Sequence, residues 1–221
     1  MSNDDFRLLL ERGDVDGVRR ALDREPALAN RAIHWVVNPP NESDPLHYVS
    51  DCVFNGWLTN GKEAQITEAL LAHGAAINGN ENRETPLIGA ASLGAEAVAR
   101  VLIDHGAALE NTSVYGARAL HWAAWMGMAS TVELLVTRGA AIEARCSQFG
   151  ATPLFWAVHG YGPRGPNVKR GQVPAAAVLL RAGATADTMD KDGLSALELA
   201  RRCADPDLYD LLKAHASQGR A

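Results

Sequence analysis

The chain has 221 residues, 47% hydrophobic and 6% aromatic, with 21 Lys+Arg against 26 Asp+Glu for a net charge of −5. That mildly acidic balance argues against nucleic-acid binding, which rests on a basic face, and no apolar run reaches the roughly 18 residues that a membrane span needs. The three cysteines, Cys52, Cys146 and Cys203, share no close spacing and give neither a disulfide framework nor a cysteine zinc site.

In chain order, the first unit runs over 4–31 and reads as a polar N-terminal cap. Phe6 and Leu8 to Leu10 precede a break at Gly13-Asp14, and Val15, Val18, Ala21 and Leu22 follow at helical spacing. Pro26 ends that helix. Residues 32–40, closing on Pro39-Pro40, predict an extended connection or an elaborated finger turn, with no regular helix. The second unit, 41–80, opens on Asp44-Pro45-Leu46-His47 and carries about nine extra residues within 50–63. The third (81–112) and fourth (113–146) units are regular. The fifth, 147–189, opens on Thr152-Pro153-Leu154-Phe155 and is expanded by a Gly-, Pro- and Arg-rich segment over 160–173. The sixth, 190–217, reads as a polar C-terminal cap, with a frayed end from His215.

A Gly-Ala pair closes four of these units, at Gly74, Gly106, Gly139 and Gly183, and the spacing Leu87 to Leu120 to Leu154 is 33 and then 34 residues. A fixed period of this size marks a stacked-repeat architecture, in which one unit cannot bury its own apolar face. Pro86 and Pro153 suit a first helical turn, and the closing glycines suit a left-handed helix end. The fullest copy is Tyr115-Gly-Ala-Arg-Ala-Leu-His-Trp-Ala-Ala-Trp-Met-Gly127, followed by Ser130 to Ile142. This pattern resembles the ankyrin repeat over nearly the whole chain. The resemblance implies an all-α solenoid of about six units forming a single domain over 1–221, in a bacterial protein. It also implies that His47 and His121 are structural, each imidazole tying one turn to the next through backbone hydrogen bonds.

No residue pattern names an enzyme. No two histidines have the i, i+4 spacing of a helical metal site, Gly160-Tyr-Gly-Pro-Arg-Gly165 lacks the strand that a phosphate loop follows, and Ser92 and Ser147 lack a nucleophile elbow. The expectation is a non-enzyme with no cofactor and no metal. Trp122 and Trp156 hold equal places in successive inner helices, as does Tyr48, and read as packing. Trp125, Met126 and His159 align with the end of the inner helix, which in ankyrin-like stacks faces the concave surface. Tyr115 and Phe149 fall in the finger turns, and Trp57 and Tyr161 in the two insertions. Aromatic residues, Met and Arg are enriched at interface centres. These residues, with Arg118 and the loop cations Arg164, Lys169 and Arg170, therefore form the candidate partner-binding patch. The expected function is recognition of another protein by a cytoplasmic monomer, through the concave face and the loops near 50–63 and 160–173. The alternative is a small-molecule or peptide sensor with a pocket between those loops, lined by His159, Arg118 and Glu84.

Overall fold

A computed structural model describes residues 1–35, 41–80, 83–161, 171–203 and 206–218. The predicted Pro39-Pro40 turn and most of the 160–173 insertion, including Arg164, Lys169 and Arg170, lie outside them. The chain divides into two compact units, Met1–Ala108 and Leu109–Ala221.

In the first unit, α1 (Asn3–Glu11), α3 (Pro45–Phe54) and α5 (Pro86–Ser92) pack in succession as an inner layer. The outer layer is α2 (Val15–Arg24), α4 (Glu63–Ala72) and α6 (Glu96–Asp104). Phe6, Leu10, Leu46, Val49, Leu87 and Ile88 are buried from the inner layer, and Val18, Leu22, Ile66, Leu70, Val98 and Leu102 from the outer one. Each such burial contributes about 1.5–3 kcal/mol. In the second unit the inner helices are α7 (Ala119–Met126), α9 (Pro153–Tyr161) and α11 (Ala196–Arg202). The outer ones are α8 (Ala129–Thr137), α10 (Gln172–Arg181) and α12 (Pro206–Gln218).

Helix starts follow from sequence chemistry. Pro45, Pro86 and Pro153 each open an inner helix, where the missing N–H costs nothing. Thr85 and Ser195 accept from Ile88 N (3.3 Å) and Glu198 N (3.2 Å) as side-chain caps. Asp44 holds the same place before α3 but caps nothing. Its carboxylate is turned to the next repeat, accepting from Asn80 N (3.2 Å), Asn80 Nδ2 (2.6 Å) and Arg83 Nη1 (3.0 Å).

The insertion expected within 50–63, in the second repeat, is partly helical. Inner helix α3 has 10 residues against 7 in α5, and only 55–62 then cross to α4. Before it, β1 (Ile33–Trp35) pairs antiparallel with β2 (Asn41–Ser43), Ile33 opposite Ser43. The extended connection expected over 32–40 thus supplies the first strand of a hairpin. At the other end, α12 continues to Gln218, past the expected fraying at His215, whose Nδ1 contacts Leu211 O at 3.1 Å.

A side-chain ladder joins successive repeats within each unit. The residue four places after a closing glycine accepts from the backbone N–H two places after the next one. Asn78 bonds Ala108 N (2.8 Å), Glu110 bonds Ala141 N (2.9 Å) and Glu143 bonds Thr185 N (2.8 Å). Asn30 of the cap makes the same bond to Ala76 N (2.7 Å) and donates to Gly74 O (2.8 Å). Each satisfies a backbone donor in the turn that follows an outer helix, which has no partner in the helix itself.

Candidate functional site

The second unit gathers a connected set of rings from two consecutive repeats. Trp122 of α7 and Trp156 of α9 meet edge to face with centroids 4.9 Å apart, and Trp125 meets Trp122 at 5.8 Å. Tyr115 lies 6.0 Å from Trp122 and 5.9 Å from Phe149, and Phe149 lies 6.4 Å from Trp156. Tilted and edge-to-face pairs at these distances contribute about 0.5–1.5 kcal/mol each beyond burial. The set is graded in exposure. Trp156 is buried, Trp122 and Trp125 are half-buried, and the finger-turn rings Tyr115 and Phe149 are 36% and 44% exposed, beside Val114 at 88%.

Backbone geometry holds those finger turns. Cys146 N bonds Ala151 O at 3.0 Å and Asp190 N bonds Leu194 O at 2.9 Å, closing each turn. Successive tips are then joined main chain to main chain, Gln148 N to Tyr115 O (3.1 Å) and Lys191 N to Phe149 O (2.9 Å). At the opposite end, α7 and α9 come close at glycines. Gly127 caps α7 in the left-handed region at φ 73°, and a Cβ there would stand 2.6 Å from the Gly171 carbonyl carbon. A Cβ on Gly160 would overlap the Trp125 carbonyl oxygen.

Of the sequence-predicted residues, the structure brings Tyr115, Trp125 and Phe149 into one ring network, through Trp122 and Trp156. Trp122 and Trp156 are in contact, as their packing role requires, and they are also what joins the other three. Met126 and Tyr161 are the last residues of α7 and α9, both half-buried, and His159 is exposed on α9. Arg118 is half-buried and paired with Glu110 at 2.7 Å. Trp57 belongs to the first unit, where it packs on Trp35 (5.4 Å) and Tyr48 (6.3 Å) and remains 41% exposed. Tyr48 is fully buried and donates from its hydroxyl to Glu11 Oε1 at 2.6 Å.

His121 behaves as its position in the repeat implies. It is fully buried, Nδ1 accepts from Arg118 N (3.1 Å), and Nε2–H faces the carbonyls of Ala144 (3.1 Å) and Ala151 (3.2 Å). Burial and the Arg118 charge outweigh the carbonyl bonds and push its pKa down to about 4, so the ring is neutral.

His47 does not. The expected backbone tie is replaced by carboxylates: Nδ1 lies 3.2 Å from Asp51 Oδ2, which also accepts from Ser43 Oγ at 2.9 Å, and Nε2 lies 3.9 Å from Glu84 Oε2. Burial alone would lower the pKa, but the hydrogen bonds and charges of Asp51 and Glu84 hold it up at about 9. The ring is therefore an imidazolium at neutral pH. It borders a cleft of about 280 Å³ lined by Glu42, Ser43, Asp44, His47, Arg83 and Glu84. Glu84 thus faces a cleft in the first unit, whereas Arg118 and His159 belong to the second. Among the described residues no cluster of His, Cys, Asp and Glu could hold a metal ion, and no helix is long and apolar enough to cross a membrane.

Residues 57–146 match the family model for ankyrin repeats in three copies. Palmitoyltransferase ZDHHC13 of Homo sapiens and that of Pongo abelii are each 30% identical to the chain over 81 residues, 37% of this chain. Those residues span 11% of the length of each of these curated relatives.

Proposed function

We propose that this ankyrin-repeat chain is a non-enzymatic recognition module that binds another protein through the inner-helix and fingertip face of its second unit. Ankyrin repeats in general are protein–protein interaction modules. The observation that carries the reading is the ring network Trp125–Trp122–Trp156–Phe149–Tyr115, anchored in the core at Trp156 and open to solvent at its tips. Large rings with few rotatable bonds bind at low entropic cost, and a buried base keeps them in one arrangement before the partner arrives. Arg118, Met126, His159 and Tyr161 are assigned to the rim of the same face. Trp57, with the residues near 50–63, is assigned to a second contact on the first unit.

Affinity capture with the wild type beside a Trp125→Ala/Phe149→Ala variant tests this directly. A partner retained by the wild type and weakened at least tenfold in the variant, at matched melting temperature, is the expected result; interface anchors commonly contribute about 2 kcal/mol or more. Equal retention by both proteins would move the interface off this face. A Trp57→Ala variant then reports on the second contact.

A further inference from the structure

The cationic His47 does more than fill space. Asp44, just after β2, reaches forward to Asn80 and Arg83, and Arg83 also pairs with Glu42 of β2. Ser43, between those two acids, donates to Asp51 of α3, the carboxylate that contacts His47. His47 in turn faces Glu84, next to Arg83 in the turn before α5. β2 and α3, separated in sequence by Asp44 alone, are thereby joined through one set of charges to the 83–85 turn of the following repeat. We propose that this cluster is an ionic latch fastening the β1–β2 hairpin to the following repeat, with His47 as its bolt, closed at neutral pH and released in mildly alkaline solution.

Among the described residues, Asp51 comes from its own helix, Glu42 from β2, Asp44 from the position between β2 and α3, and Arg83 and Glu84 from the turn, while on α5 the missing side chain of Gly89 leaves room for the imidazole. Four carboxylates (Glu42, Asp44, Asp51, Glu84) then face two cations (His47, Arg83). Loss of the His47 proton leaves four against Arg83 alone, in a half-buried place where water screens them poorly. The ring's pKa of about 9 lies above its ordinary value. Its contribution is accordingly complete below about pH 6.5 and is lost as pH rises through about 9. The cleft beside it supplies the route by which hydroxide and water reach the ring.

The test is the His47 ring titration by proton NMR, together with amide hydrogen exchange of 33–35 and 41–43 between pH 7 and 10.5, corrected for intrinsic base catalysis. The expected ring midpoint is near 9, with hairpin amides opening about tenfold more often above it than at pH 7. In His47→Gln the hairpin should exchange fast at both pH values, with no step. In Glu84→Gln, which removes one carboxylate from the ring, the midpoint should move down. A ring midpoint at or below about 6.5, or an exchange step that survives unchanged in His47→Gln, overturns the latch. Should His47→Gln fail to fold, an unmoved midpoint in Glu84→Gln overturns it by itself.

Discussion

His47 and His121 occupy corresponding places in two repeats, and their surroundings send their ring protons in opposite directions. His121 is buried against carbonyl acceptors, one backbone N–H and the Trp156 ring, near the Arg118 charge and with no carboxylate partner, so its ring is held neutral with a pKa of about 4. A histidine whose folded pKa is depressed stabilises the fold fully above its unfolded value and less as pH falls toward the folded one. The wild type should therefore lose on the order of 3 kcal/mol between about pH 6.5 and pH 4 through this residue alone. Urea midpoints at pH 7.5 and 4.5 check this: the pH-dependent loss should shrink in His121→Gln, whose amide does not titrate. The sequence identified both histidines as repeat positions, and for His121 that was enough. It could not assign the charge of His47: Asp51, one turn along the same helix, is its nearer partner, but Glu84 lies 37 residues further on and becomes its neighbour only when the repeats stack.

Several element boundaries were legible because one residue with a mechanical reason marks them, a proline at the start of α3, α5 and α9 or a Gly-Ala after α4, α6, α8 and α10. The side-chain ladder was equally regular, Asn78, Glu110 and Glu143 each standing four places after a closing glycine. Its signal in the sequence is an acceptor at fixed offset, invisible until the N–H that it serves is known. The hairpin escaped because strands of three residues offer too little alternation to register as strands. The ring network was legible in part: position in the repeat picked out Tyr115, Trp125 and Phe149, but only stacking shows that Trp122 and Trp156 connect them. Close packing of α7 on α9 makes a prediction of unusual sign. Gly160→Ala in an ordinary exposed helix would stabilise by about 1 kcal/mol. Here the added methyl meets the Trp125 carbonyl, and a loss of roughly 1–3 kcal/mol in thermal or urea unfolding is expected. Gly127→Ala should be costlier, since it adds left-handed backbone strain at φ 73° to a clash with main chain.

Across the whole molecule, each compact unit buries its own apolar layer, and the three cysteines report on that burial. Cys52 and Cys146 are buried, one in each unit, while Cys203 is half-buried. Burial and the neighbouring carboxylates Glu11 and Asp51 also push the Cys52 thiol well above its usual range, which suppresses the reactive thiolate. A colorimetric thiol reagent at pH 8 should therefore titrate one group rapidly in the native protein and all three in denaturant; rapid reaction of Cys52 or Cys146 would contradict the packing. The fingertips carry a different lesson. Tyr115 and Phe149 are placed by their own carbonyl groups, which accept from the backbone N–H groups of Gln148 and Lys191, and main-chain bonds ignore what side chain is attached. Address and mounting are thus separate. A lineage can rewrite the tips, and with them the choice of partner, one substitution at a time, while the frame that presents them is inherited unchanged.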